Sequence, residues 1–258
     1  MKSIELPSHT LEILNRALAE ESARRAHLVV HLSGAHAYGF PSPDSDLDLK
    51  AIHVEPTARL LGLASPTLHA DRMEILEGVE IDYTSNELRP VLLGVLHGNG
   101  NYLERVLGQT PLLETPDLET LRPLVRKTLS RRIAAHYLGF AQSQREAFAR
   151  DATVKKLLYV LRTALTGLHA LSTGEIVTDL SDLCDPHGFP EARGFIARKR
   201  SGERVKLDPA ETARAFAEAD RAIATLRASV ADSPLPPEPP ESSARDLEAW
   251  LLDVRARH

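Results

Sequence analysis

The front of the chain changes its hydrophobic period twice. From Thr10 to His27, residues Leu11, Ile13, Leu14, Ala17 and Leu18 recur with charges between them, the spacing of one apolar helix face. His27-Leu28-Val29-Val30-His31-Leu32 is then short, rich in β-branched residues and bounded by Ser33-Gly34, so it predicts a buried strand running into a turn. In the next apolar run, Leu47, Leu49, Ala51, Ile52 and Val54, the polar residues Asp46, Asp48 and Lys50 interleave, and period two sets both aspartates on one strand face. Val79, Ile81 and Tyr83 alternate with Glu80 and Asp82 in a further strand, and Thr84-Ser85-Asn86-Glu87 predicts a helix start after it. Between these two strands, Glu55 to Arg72 holds Pro56, Gly62 and Pro66 without a clean period, which predicts an irregular connection with one short helix reaching over the site.

Helical spacing dominates the rest of the chain. Asn86 to Leu96 predicts a helix ended by His97-Gly98-Asn99-Gly100, and Asn101 to Leu107 predicts another. Past Pro116 the candidate helices lie near 117–149, 152–172, 209–230 and 243–256. Pro234, Pro236, Pro237, Pro239 and Pro240 interrupt them within Asp232 to Ser243, a stiff linker that lets the last helix pack back. The expected organisation is a mixed first domain over 1–110, a helical domain over 111–231 forming the other wall of a cleft, and a linker with terminal helix over 232–258.

Composition narrows the class. With 258 residues, 43% of them hydrophobic, the chain can bury one substantial core or two modest ones. Cys184 stands alone, so no intrachain disulfide can form, which favours a reducing compartment. Neither a membrane-spanning apolar run nor a signal-peptide core is visible, Met1-Lys2-Ser3-Ile4-Glu5 included, and a soluble, cytoplasmic protein without a membrane partner is expected. A net charge of −5 argues against a broad nucleic-acid footprint. Two basic tracts run against that mean, Arg122, Arg126, Lys127, Arg131 and Arg132, then Arg193, Arg198, Lys199, Arg200, Arg204 and Lys206; each could steer a polyanion or form a solvated face. The histidines lack paired metal-ligand spacing, and one cysteine cannot build a thiolate zinc site.

The candidate chemistry lies between Gly34 and Lys50. Two carboxylates on one strand face repel each other unless a cation sits between them, and Mg²⁺ takes one or two protein carboxylates together with substrate phosphates. Gly34 and Gly39 can adopt backbone angles closed to other residues and let peptide N–H groups approach phosphate oxygens. On turn chemistry alone, Asp44-Ser45-Asp46 reads instead as a polar turn in which Asp44 or Ser45 caps local backbone.

The order Gly34, Ala37-Tyr38-Gly39 and Ser45-Asp46-Leu47-Asp48 resembles the Gly-Ser … Ser-Asp-x-Asp signature of the DNA polymerase β-like nucleotidyltransferase superfamily, and within it the YcgL-type predicted nucleotidyltransferases. The resemblance implies an α/β (α+β) fold: a mixed sheet with flanking helices, the first of them following the Gly-Ser turn, plus a C-terminal helical domain. It implies that Asp46 and Asp48 bind Mg²⁺ or Mn²⁺, two ions in all, with a third acidic residue on a later strand. Asp82 is the candidate for that role, and Glu80 competes from one pleat away. Ser33, Gly34, Ala35, Gly39 and Ser45 are the expected phosphate contacts. The usual Gly-Ser pair reads Gly34-Ala35 here, so a hydroxyl expected on a terminal phosphate is absent, a loss of roughly 1.5 to 3 kcal/mol that backbone amides, Ser33 or His36 must offset. The Gly98-Asn99-x-Asn101-x-x-Glu104 pattern also resembles this group.

A second segment adds an opposing wall. Lys155, Tyr159 and Arg162 fall at i, i+4 and i+7 on one helix face, while Leu157, Leu158, Leu161 and Leu165 line another. Such a face can neutralise phosphates and cover a base, or stand as a solvated surface with a half-buried tyrosine. The expected reaction is transfer of a nucleoside monophosphate from an NTP to a hydroxyl acceptor with release of pyrophosphate. The acceptor is an RNA end, a protein or a small molecule. The alternatives are a catalytically weakened nucleotide-binding or regulatory module, a protein-modifying (AMPylating) nucleotidyltransferase, and a metal-independent ribonuclease built on Arg131 and His136.

Overall fold

The computed structural model describes residues 6–202 and 206–258. Its sheet has five strands, β1 Ala26–Leu32, β2 Leu47–Val54, β3 His69–Leu76, β4 Val79–Glu87 and β5 Pro111–Glu114, in the order β3-β4-β2-β1-β5. β2 and β4 run parallel while the other neighbours are antiparallel, so the sheet is mixed, as expected. The strands' alternation decides what each sheet face meets. Val30, Leu32, Leu47, Leu49, Ala51, Ile81 and Tyr83 bury against α1, Ser8–Arg24, through its Ile13, Leu14 and Ala17. The opposite face carries Asp48, Lys50, Asp82 and Thr84 at register positions 48↔82 and 50↔84.

That second face is covered by helices. After the short α2, Gly34–Ala37, and α3, Thr57–Leu61, come α4 Leu88–Leu96, α5 Gly100–Leu107, α6 Pro116–Lys127, α7 Ile133–Arg150, α8 Val154–Thr173, α9 Leu180–Leu183, α10 Ala192–Arg200, α11 Pro209–Asp232 and α12 Glu241–Arg257. One apolar cluster runs from Leu28, Val29 and Ile52 of the sheet through these helices to Leu226 and Val254. α8 is its axis, with Leu157, Leu161, Leu165 and Leu168 buried and Gly174 closing the helix at φ 76°.

Several expectations are corrected. Thr84 to Glu87 does not begin a helix: it is the second half of β4, paired with Lys50 to His53, and the helix starts only where Glu87 accepts a bond from Arg89 N at 2.7 Å. The parallel ladder outweighs the capping propensity of those residues. The connection after Glu55 does not reach over the site, and none of residues 55–72 lines the cleft beside it. α3 is tied to the far end of the chain, Thr57 N to His258 O and Thr57 Oγ1 to Arg255 O, and the same stretch runs into β3, an edge strand whose open sides leave no apolar period to detect. The candidate helix over 117–149 breaks between Thr128 and Arg132 into α6 and α7, and β5, α9 and α10 add elements not foreseen.

The proline-rich segment does return the last helix to the body. Arg131 holds it, the guanidinium donating to Ser233 O and Leu235 O and the backbone N–H to Pro236 O. α12 then packs on α6 and α4, with Trp250 Nε1 donating to Thr120 Oγ1 and Arg255 paired to the buried Glu87. Among the described residues no helix is long and apolar enough to cross a membrane.

Candidate active site

The site is organised around Asp48. β1 ends at Leu32, Ser33 N donates to Asp48 O at 2.7 Å, and the chain turns at once into α2. Gly34 sits at φ 59°, and a Cβ there would collide with Asp48 Oδ2, so both the backbone angle and the carboxylate demand glycine. Across the ladder, Asp82 stands in register with Asp48 on the same face. Lys50, one pleat on, donates to Asp82 Oδ2 at 3.0 Å and Thr84 Oγ1 at 3.3 Å. Burial raises the Asp48 carboxyl to about 6, with Lys50 and Lys155 opposing the rise and Asp82 and Asp46 adding to it.

These groups are hard oxygen donors set beside each other in a site that disfavours uncompensated charge, which suits a divalent cation. Asp46 is less tightly joined to them. It precedes β2 by one residue and lines a separate cavity of about 540 Å³ with His36, Ser42, Ser45, Glu80 and Arg200. Among the described residues no three His, Cys, Asp or Glu side chains gather closely enough to hold a metal ion. Asp48 and Asp82 stand paired across the ladder, and Asp46 is near enough to add to the rise in the Asp48 pKa.

The expected phosphate contacts divide. Ser33 Oγ lies 3.3 Å from the Tyr38 hydroxyl and faces the cleft, whereas the Ala35 methyl is buried in the larger apolar cluster. Gly39, at φ 83°, presses against the Asp179 carboxylate, and its carbonyl accepts from Arg200 at 2.6 Å, so it joins the turn to the helical part. Ser45 closes its own turn, accepting from Ser42 N at 2.9 Å. Lys155, in the first turn of α8, is close enough to Asp48 to lower its pKa.

Arg162 differs most from expectation. It is 3% exposed, pairs with Glu104 Oε2 at 2.5 Å and lies 3.7 Å over the Tyr38 ring. Burial pulls the guanidinium's pKa down and Glu104 more than offsets that, leaving it above its ordinary value. Its charge is paired with Glu104, while its Nε is buried without a hydrogen-bond partner and the side chain lines the cleft. Tyr159 packs edge-on to Tyr38 and Phe40, at ring separations of 5.7 and 5.8 Å. The residues that sequence reasoning passed over are Lys50, Tyr38, Glu104 and Arg105. Lys50 had the signal of sharing period two with the aspartates, and Glu104 closes the Gly98-Asn99-x-Asn101 pattern, in which Asn99 caps α5 by accepting from Asn101 N.

The basic tracts are mostly spent on structure. Arg122 pairs with Glu114, Arg132 with Glu238, Arg193 with Asp185 and Arg198 with Glu211, while Lys199 is fully buried with Nζ 2.7 Å from Ser42 Oγ. Arg204 lies outside the described residues, as do residues 1–5. Arg131 is committed to the proline-rich carbonyls and His136 stacks on Phe140, so the two do not form a ribonuclease pair.

A mixed sheet with paired strand carboxylates beside a glycine turn defines a nucleotidyltransferase-class site, and comparison with known proteins agrees. Residues 10–253 match the model of RlaP, the RNA repair pathway DNA polymerase beta family, and the chain belongs to that family. It is 27% identical over 158 residues to the uncharacterized protein MJ0002 of Methanocaldococcus jannaschii, covering 60% of this chain and 64% of that protein, just under two thirds of its length. It is likewise 27% identical over 188 residues to the uncharacterized protein YcgL of Bacillus subtilis, covering 68% of this chain and 70% of that one. The crystal structure of a nucleotidyltransferase-like protein from Exiguobacterium sibiricum aligns over 95% of this chain and 79% of its own, at 14% identity and a TM-score of 0.33. Family membership rests on the sequence match.

Proposed function

We propose that this protein transfers a nucleoside monophosphate from an NTP to a hydroxyl acceptor, releasing pyrophosphate, and that the acceptor is an RNA end. The observation that supports this best is Asp48 in register with Asp82 while its carboxylate fills the space a side chain at Gly34 would need. Asp48 and Asp82, with Asp46 at the rim, would hold Mg²⁺ or Mn²⁺, which when bound neutralises triphosphate charge and polarises the reacting phosphorus. The residues do the rest. Ser33 and the turn at Gly34 and Ala35 position the leaving phosphates, and Lys155 offsets their charge. Lys50 orients Asp82, which takes the proton as the acceptor oxygen bonds to the α-phosphorus and the bridging oxygen departs with pyrophosphate. The RNA acceptor is drawn from membership of the RNA repair family.

The test is incubation with each labelled NTP, Mg²⁺ or Mn²⁺, and RNA, protein and small-molecule acceptors together. Label in the RNA pool, lost in Asp48→Asn, is expected; near-full transfer by that variant would sink the assignment. Label in the protein pool would make the enzyme a protein-modifying one. A second reading, an idle nucleotide-binding module, draws on the Ala35 methyl in the core and on Lys50 already paired to Asp82. Calorimetric binding of ATP with Mg²⁺ and no pyrophosphate release with any acceptor would favour it.

A further inference from the structure

β3 is an edge of the sheet, bonded on one side to β4 and on the other, among the described residues, to no strand. An open edge presents a row of unpaired backbone N–H and C=O groups, and proteins ordinarily guard one with proline, lysine, a bulge or a covering element. His69–Leu76 holds neither proline nor lysine, and its register with β4 runs from His69↔Asn86 to Leu76↔Val79 without a break. Met73 and Ile75, in register with Asp82 and Glu80, are 76% and 69% exposed. The charges that the strand does carry, Asp71, Arg72 and Glu74, select an occupant for this edge more than they bar one.

A second copy that joins this edge in an antiparallel ladder is related to the first by a two-fold axis perpendicular to the sheet, which sets one residue opposite itself and keeps like faces together. Centred on Asp71, Arg72 or Glu74, the axis would set like charges directly opposite each other, which is destabilising. Centred on Met73, it sets Met73 against the partner's Met73, Arg72 against the partner's Glu74, Ala70 against the partner's Leu76 and Asp71 beside the partner's Ile75. Opposite charges then face each other twice, and an exposed methionine is covered at the centre. We infer that β3 pairs with β3 of a second copy of this chain, antiparallel about Met73, in a sheet continuous through both. Both Asp48 and Asp82 rows would lie on one face of that sheet, the two Asp82 residues about 15 Å apart across three inter-strand steps.

Sedimentation of the intact protein between about 1 and 100 μM should show monomer–dimer exchange, since a strand edge is at the small end of specific interfaces. Met73→Lys puts two ammonium groups on the axis and should weaken dimerisation by about tenfold or more. Ile75→Lys faces the partner's Asp71 and should leave dimerisation level or tighter. Both side chains are exposed, so the variants' melting temperatures at monomeric concentrations should match that of the wild type. Oxidative crosslinking reads the register. In Met73→Cys the two thiols face each other at a Cα separation of about 4.5 to 5.5 Å, within disulfide reach, whereas in Asp71→Cys they stand about 13 Å apart. Cys184 is buried and does not compete.

A protein still monomeric at 100 μM would overturn the pairing, and so would Met73→Cys crosslinking no better than Asp71→Cys. A dimer of wild-type strength in Met73→Lys would place the interface elsewhere and sink the proposal equally. Equal weakening by Met73→Lys and Ile75→Lys would mark a general apolar contact without this register, and the inference would fall. If Met73→Lys does not fold, the crosslinking comparison decides alone.

Discussion

The two faces of β2 are written by alternate residues of one strand, yet they encode different things. Leu47, Leu49 and Ala51 bury against α1 in a largely apolar cluster, while Asp48 and Lys50 lie on the opposite face, where Lys50 lines a cleft between sheet and helices. The first face gains by excluding water from apolar area, and size and shape are all it asks of a residue. The second places like charges side by side and buries part of one of them, an arrangement that costs stability and that Lys50 and Lys155 offset in part. Changing one residue along the strand should therefore exchange a loss of chemistry for a loss of stability.

The widest separation is expected at Asp48. Asp48→Asn keeps the volume and removes the charge, so transfer should fall by about a thousandfold or more in the labelled-NTP assay. Its melting temperature without divalent metal should stay level or rise, because the repulsion from Asp82 and Asp46 goes with the charge. A large drop in melting temperature would mean that Asp48 is a structural residue and that the contrast between faces is false.

Glu104 probes whether the cleft side also holds a structural ion pair. Glu104→Gln leaves the Arg162 guanidinium, 3% exposed, without its counter-ion, which should cost about 3–5 kcal/mol in urea unfolding. Arg162→Met combined with Glu104→Leu should recover much of that loss, since a buried pair replaced as a unit removes both desolvated charges. Leu49→Ala is the matching change on the α1 face. Leu49 is fully buried, and its truncation should cost about 2–5 kcal/mol while the folded fraction retains its specific activity.

Sequence reasoning followed the two faces unequally for the same physical reason. Period two along Leu47 to Val54 placed both the apolar set and Asp48 correctly, because strand alternation is a local property. The family match likewise carried the class of the protein from the Ser45-Asp46-Leu47-Asp48 block. What stayed hidden depends on tertiary partners. Arg162 looked like a free cation on a helix stripe because its counter-ion, Glu104, lies on another helix and far along the chain. Gly39 looked like part of a phosphate turn because nothing local announces the Asp179 carboxylate pressed against it. β3 went unseen because an edge strand with polar and apolar residues exposed alike, Met73 and Ile75 among them, has no buried face to impose a pattern.

The smallest expected effect concerns protons on the α1 face. His27 donates to or accepts from the Tyr83 hydroxyl at 2.7 Å and lies 3.2 Å from Ser22 Oγ. Burial lowers its pKa to about 4, with Arg25 and His53 adding to the shift and Glu21 opposing it. The unfolded chain's histidine takes its proton near pH 6.5, so between that pH and about 4 the unfolded state binds more protons than the folded one. Stability contributed by the neutral ring is thus complete above pH 6.5 and drains away as pH falls toward 4. Urea midpoints taken at pH 7, 6 and 5 should decline accordingly, and His27→Gln should decline less steeply while starting lower at pH 7 for loss of the fitted imidazole. Because His27 stands on the face away from the cleft, the same substitution should leave the pH profile of nucleotide transfer unmoved. If it shifts that profile, the two faces of the sheet are coupled through Tyr83, the neighbour of Asp82, and the division drawn along β2 does not extend to β4.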